Sequence, residues 1–134
     1  MVTEKKLLRA PAKDYMNKAQ LGFFKERLVQ MKVDLEKHLE KAKSELMDRE
    51  READDLDRAQ AEEGIHLKLR ILDRESKLLP KIDESLKRIE EGSYGYCEAT
   101  GEPIGIERLL VRPTAIFCAE EKNRQEQIEK AYKD

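Results

Sequence analysis

Two apolar stripes of helical period, separated by a short stretch with nothing to bury, constrain this chain more than any other feature. The first stripe runs through Leu21, Phe24, Leu28, Met31 and Leu35 at steps of three and four, and Leu39, Ala42 and Leu46 continue it after a small phase shift. Lys, Glu, Gln and Arg fill most positions between, which is the pattern of a heptad-like seam on an otherwise solvated helix. The stripe fades from Asp48 to Asp54, where Arg49, Glu50, Arg51 and Glu52 offer no side chain to pack. It resumes at Ile65, Leu69 and Leu72 and continues through Leu79, Ile82, Leu86 and Ile89. Two striped helices joined by a polar stretch predict an antiparallel hairpin. Arms of roughly 35 residues would each reach about 50 Å, a finger standing on a body built elsewhere.

The composition suits that shape. Charged residues reach 42% and aromatics only 5%, with no Trp, which argues against a large globular core. The 27 basic and 29 acidic residues nearly balance, whereas nonspecific binding to DNA needs a strongly basic surface to displace counterions. A disordered chain would lack the apolar period. No stretch approaches the length of a membrane span, and Met1 to Arg9 has no signal-like apolar core, so a cytoplasmic chain with reduced thiols is expected.

The fold class expected is mainly α: a long antiparallel coiled-coil hairpin, a small zinc-ribbon-like globular domain and a C-terminal helix. Residues 1–16 read as an N-terminal tail belonging to the body and punctuated by Pro11, and 17–91 as the coiled-coil finger with its tip near 52–59. Residues 92–118 read as the ribbon-like domain and 119–134 as the C-terminal helix. Asn17 is a candidate N-cap and Gly92 a helix stop. Gly64 and Pro80 interrupt the second arm, and Pro80 predicts a kink at the junction of finger and body. Gly95, Gly101, Gly105, Pro103 and Pro113 then punctuate the chain, with Ile104-Gly105-Ile106 and Leu109-Leu110-Val111 expected as brief strands or tight loops. A last amphipathic helix is expected from about Ala119 to Tyr132, its apolar positions being Ile128 and Tyr132.

Three groups of residues carry chemistry. Cys97-Glu98-Ala99-Thr100 and Cys118-Ala119-Glu120-Glu121 each begin like a Cys-x-x-Cys knuckle, but Thr100 and Glu121 hold the second positions. A structural zinc wants four thiolate or imidazole ligands, and His38 and His66 fall in the finger, so a ribbon that dispenses with zinc is favoured. Neither thiol has a neighbouring His to make it a nucleophile. Asp54, Asp55 and Asp57 lie where the stripe stops, either as a solvated turn or as carboxylates that a rigid finger carries into a buried polar centre. Arg74, Lys77 and Lys81 form a basic stripe that is either solvated or, with Arg112 and Lys122, able to hold phosphates.

The ordered set Tyr15-Met16-Asn17, Asp57-Arg58-Ala59, Asp73-Arg74-Glu75, Tyr94-Gly95-Tyr96-Cys97-Glu98, Ile104-Gly105-Ile106 and Arg112-Pro113-Thr114-Ala115 resembles the DnaK-suppressor (DksA) family of RNA polymerase secondary-channel regulators. The likeness runs from Tyr15 to about Glu129. It implies a zinc-finger-like, non-enzymatic transcription regulator that binds RNA polymerase at its secondary channel and rim. With ppGpp as effector it would destabilise promoter complexes in the stringent response. The family's tip motif falls on Asp54, Asp57 and Ala59, and its alarmone-contacting positions on Lys81, Arg112 and Lys122, with Leu78 beside them and Arg74 nearby. The vestigial zinc positions are Cys97, Thr100, Cys118 and Glu121, as in a zinc-independent paralogue. Asp55 stands where a Pro is usual and Pro80 where a basic residue is. A monomer without cofactor, membrane attachment or sequence-specific DNA binding is expected. The alternative is a coiled-coil scaffold or dimerisation protein with no polymerase role.

Overall fold

A computed structural model describes residues 2–52 and 58–132. The mainly helical class is observed: the described residues form α1 (Glu4–Arg9), α2 (Lys18–Glu52), α3 (Arg58–Ser76), α4 (Leu78–Glu91), α5 (Ile106–Val111) and α6 (Ala119–Tyr132). Among them no strand forms. The nearest approach to a ribbon is an isolated antiparallel bridge between Tyr96 and Pro103. The chain divides into two compact units, Met1–Leu28 with Glu84–Asp134, and Val29–Asp83.

The unit Val29–Asp83 is the helical hairpin. Leu39 and Leu46 of α2 and Leu72 of α3 are buried at its seam, with Leu35, Ala42, Ile65 and Leu79 packed against them. Each such burial is worth about 1.5–3 kcal/mol, so a few leucines suffice to zip two polar helices. Leu69, expected in the seam, is instead 49% exposed. Lys32 Nζ lies 2.7 Å from Asp83 Oδ1, and His38 Nε2 lies 2.9 Å from Glu75 Oε2.

Pro80 breaks the second arm as expected. It has no N–H for the carbonyl of Ser76, so α3 stops at Ser76 and α4 begins at Leu78. The Ser76 hydroxyl and the Lys77 amide both donate to the carbonyl of Asp73, at 2.8 and 3.3 Å, and close the turn. Gly64, also expected to interrupt, lies within the unbroken α3.

In the other unit, Asn17 Oδ1 accepts from the Gln20 amide at 2.9 Å and caps α2. Helix α4 ends in a Schellman turn: Ser93 N–H donates to the Arg88 carbonyl at 2.9 Å and Gly92 N–H to the Ile89 carbonyl at 3.3 Å. Gly92 takes φ +82° to make it.

In the N-terminal segment Thr3 caps α1, and Leu7 is buried where α1 packs on α5. Two expectations for this unit need correction. Leu109-Leu110-Val111 is helical rather than a strand. In a strand Leu109 and Val111 would share a face, yet Leu109 is fully buried and Val111 is 88% exposed. Helix α6 has the expected span but buries no residue, and Ile128 and Tyr132 are exposed, so it is not amphipathic in packing.

Candidate functional site

Phe24 and Tyr94 form the centre of the first unit, with ring centroids 5.6 Å apart and almost no exposure. The Tyr94 hydroxyl donates to the Pro113 carbonyl at 2.7 Å, and burial pushes its ionisation far above the ordinary tyrosine range. Arg88, on the same face of α4 as the buried Ser85, turns inward despite its charge. Its Nη2 donates to the carbonyls of Ser93 and Tyr96 at 3.1 and 2.7 Å and so holds the glycine-rich loop to the helix. Arg108 Nε does the same for the carbonyl of Phe117 at 2.9 Å.

Tyr15-Met16 locks onto that loop. The Tyr15 hydroxyl donates to the Gly95 carbonyl at 2.5 Å and accepts from the Gly105 amide at 2.9 Å. Its ring meets Tyr96 edge-on at 5.6 Å. Met16 has φ +56°, and its amide donates to Oε1 of the buried Gln20 at 2.9 Å. Helical periodicity gave no hint of Tyr15, Gln20, Arg88 or Arg108 as organisers of the body. The signal that was present is the tyrosine-glycine clustering around Gly95.

Of the knuckle positions, Cys97 and Thr100 share one tight turn, and Glu121 faces its own helix. Cys97 is buried, its amide donates to the Glu102 carbonyl at 2.7 Å, and the Gly101 amide returns to the Cys97 carbonyl at 2.8 Å. Burial raises the Cys97 thiol. Hydrogen bonds from the Thr100 hydroxyl and from the backbone of Cys118, Thr100 and Ala99 outweigh it and bring the pKa down to about 7. Thr100 Oγ1 also accepts from the Glu102 amide at 3.2 Å. Glu121 is occupied within α6, where Gln125 donates to Oε1 at 3.3 Å and Arg124 lies 3.9 Å from Oε2.

The lowered Cys97 pKa sets a sign. A group with a depressed folded pKa adds stability above its unfolded pKa and loses it as pH falls through the folded value. Metal-free protein is therefore expected to lose stability as pH falls from about 9 to about 7. Thr100→Val, which removes the hydroxyl donor, is expected to flatten that slope in melting curves taken across the interval.

The remaining sequence candidates are distributed as follows. Asp54 and Asp57 lie outside the described residues, and Ala59 falls in the first turn of α3. Arg74, Leu78 and Lys81 belong to the hairpin unit, at the end of α3 and the start of α4. Arg112 follows α5 as its C-cap and Lys122 lies in the first turn of α6, both in the other unit.

With this geometry established, the relatives are informative. A family model described as DnaK suppressor protein DksA, N-terminal domain, matches residues 20–89. The RNA polymerase-binding transcription factor DksA of Caulobacter vibrioides is 44% identical over 127 residues, which is 92% of this chain and 89% of that one. The chain belongs to the DksA family. The DksA of Escherichia coli is 40% identical over 121 residues, 90% of this chain and 80% of its own. The solved structure of transcription factor DksA2 from Pseudomonas aeruginosa matches with a TM-score of 0.87 at 48% identity, covering 96% of this chain and 99% of that one. A second model, the prokaryotic dksA/traR C4-type zinc finger, matches residues 92–127.

The donors present do not fit the zinc that a four-cysteine DksA finger implies. Two of the four knuckle positions carry a hydroxyl already spent on Cys97 and a carboxylate held by its own helix. Among the described residues no three His, Cys, Asp or Glu side chains are grouped to hold a metal. Nor, among them, is any helix long and apolar enough to cross a membrane.

Proposed function

We propose that this chain is a cytoplasmic, monomeric, non-enzymatic regulator that binds RNA polymerase directly through its secondary channel, without recognising a DNA sequence and without needing zinc. It acts with ppGpp to destabilise promoter complexes during the stringent response. The observation that carries this reading is the match, over nearly the whole chain, to relatives named as RNA polymerase-binding transcription factors. The division into a hairpin unit and a separate body supports it, because binding and action then fall to different parts of the chain. Zinc independence is supported by the Thr100 and Cys118 hydrogen bonds that organise the knuckle around Cys97.

In this reading Asp57, supported by Asp54, is the working end, and Ala59 keeps the tip slim. Arg112 and Lys122, with Lys81, Leu78 and Arg74, receive the alarmone. A carboxylate in a low-dielectric channel competes for hydrogen bonds far better than in water. Transcription from a sensitive promoter by purified polymerase, with and without ppGpp, tests the whole. Asp57→Asn keeps the size and removes the charge; it is expected to bind polymerase normally yet lose about tenfold or more of its inhibition. The Arg112→Ala, Lys122→Ala double variant is expected to keep basal inhibition and lose the ppGpp synergy. Chelation is expected to leave the parent's melting temperature unchanged. Full inhibition by Asp57→Asn would refute the role of the tip, normal synergy the alarmone site, and unfolding by chelator the zinc independence.

A further inference from the structure

Helix α4 and the glycine-rich loop enclose a cavity within the body. Glu84, Arg88 and Glu91 recur on α4 at steps of four and three, so they share one face and line it together. Tyr96 and Glu98 line it from the loop, and Ile116 from the segment that enters α6. Hydrogen bonds hold these walls in place. Arg88 Nη2 donates to the carbonyls of Ser93 and Tyr96 at 3.1 and 2.7 Å, and the Glu98 amide donates to the Ile116 carbonyl at 2.7 Å. The space measures about 580 Å³, inside the range of small-molecule pockets, roughly 300–1,000 Å³.

Arg88 shows what the cavity lacks. The residue is only 9% exposed, both of its hydrogen bonds leave from Nη2, and Nε and Nη1 have no partner among the described residues. Among those residues the one fully enclosed side-chain polar atom without a hydrogen bond is Glu75 Oε2. The unspent Arg88 donors therefore open onto the cavity that the residue lines. A guanidinium so placed calls for an anionic oxygen. The rim has the opposite sign: Glu84 and Glu98 have no ion-pair partner among the described residues, and Glu91 has only Lys87, at 3.9 Å. Three carboxylates against Arg88 and Lys87 leave one negative charge in excess.

We propose that this cavity binds a free basic α-amino acid of the L-arginine class. The ligand's α-carboxylate takes the open Arg88 donors, and its α-ammonium and side-chain cation take the carboxylates of Glu84, Glu91 and Glu98. Its single net positive charge cancels the excess. A plain cation would leave the Arg88 donors unspent, and a plain anion would face three carboxylates. The Tyr96 ring in the wall suits a planar guanidinium better than an ammonium. Such a ligand bridges α4 and the loop, so its binding stabilises the body. Nothing in this site involves polymerase, so it stands or falls apart from the transcriptional role.

The test titrates the full, reduced chain with L-arginine at low salt by calorimetry, with amide NMR spectra to locate the change. Binding is expected with a Kd of about 1 mM or tighter, with the shifted amides gathered around Arg88, Tyr96, Glu98 and Ile116. Three analogues each remove one group: agmatine the α-carboxylate, L-citrulline the side-chain charge, and N-acetyl-L-arginine, a mimic of a peptide terminus, the α-ammonium. Each is expected to bind about tenfold more weakly or worse. The Glu84→Gln, Glu98→Gln double variant changes exposed residues; it is expected to keep the parent's melting temperature and lose affinity by about tenfold or more. Failure of L-arginine to bind, agmatine or N-acetyl-L-arginine binding as tightly as L-arginine, or unaltered affinity in the double variant would each overturn the proposal. The analogue series is measured on the parent chain and decides the matter even if the variant misfolds.

Discussion

Gly95→Ala is expected to lower the stability of the body by about 3 kcal/mol or more. Gly95 holds φ +88°, where an L side chain costs about 1–2 kcal/mol. Its Cβ would stand 2.7 Å from both Cγ and Sδ of Met16 and 3.3 Å from the Tyr15 hydroxyl. Overpacking of that kind adds about 1–3 kcal/mol. Met16 has little room to retreat, because its own left-handed backbone is fixed by the hydrogen bond that its N–H donates to Gln20 Oε1. In a chain of this length the loss is expected to lower the melting temperature by on the order of 10 °C. Gly22→Ala is the matched control: it lies inside α2 with nothing within 4 Å of the new Cβ. It is expected to gain about 0.5–1 kcal/mol from helix propensity. Thermal melts in which both variants shift alike would mean that the Tyr15-Met16 lock contributes nothing.

Phe24→Ala should cost about 3–5 kcal/mol, the range for an aromatic removed from a packed core. Phe24 is fully buried and supports the Tyr94 ring, whose hydroxyl fixes the carbonyl of Pro113. The cavity opens at the middle of a small body, where few side chains can collapse into it. Urea unfolding gives the free energy, and the near-ultraviolet signal of the tyrosines, in a protein without Trp, reports the body directly. A loss under about 1 kcal/mol would show a core able to repack around the gap. Because Phe24 is separated from Tyr94 by the whole hairpin in sequence, the variant also measures how firmly the two ends of the chain are joined.

The hairpin was legible because its information is periodic. Leu39, Leu46 and Leu72 lie where steps of three and four put them, and the Asn17 cap, the Gly92 stop and the Pro80 break are local rules of one or two residues. Leu69 escaped because period fixes a face only to within a turn, and neighbouring side chains decide which member of that face is covered. The body was less legible for a different reason. Leu109 and Val111 read equally well as a strand, and only the packing of α1 on α5 selects the helix. Arg88 resembles any solvated charge until the carbonyls of Ser93 and Tyr96 are brought beneath it. The knuckle positions were visible as a motif, but spacing says nothing of the hydrogen bonds that gather on Cys97.

The unit built from Met1–Leu28 and Glu84–Asp134 is interrupted by the whole of the hairpin. Its defining contacts are correspondingly distant along the chain: Tyr15 to Gly95 spans 80 residues and Tyr15 to Gly105 spans 90. Closing a flexible loop of roughly 50 residues before any such contact forms would cost about 3.5 kcal/mol of chain entropy. The hairpin removes most of that cost. Its two arms zip from neighbouring residues outward, and the Lys32–Asp83 pair joins its open end. The order of assembly is thereby set by the chain itself. The insert is expected to fold first as a splint, shortening the effective loop over which Tyr15 must find Gly95 and Gly105.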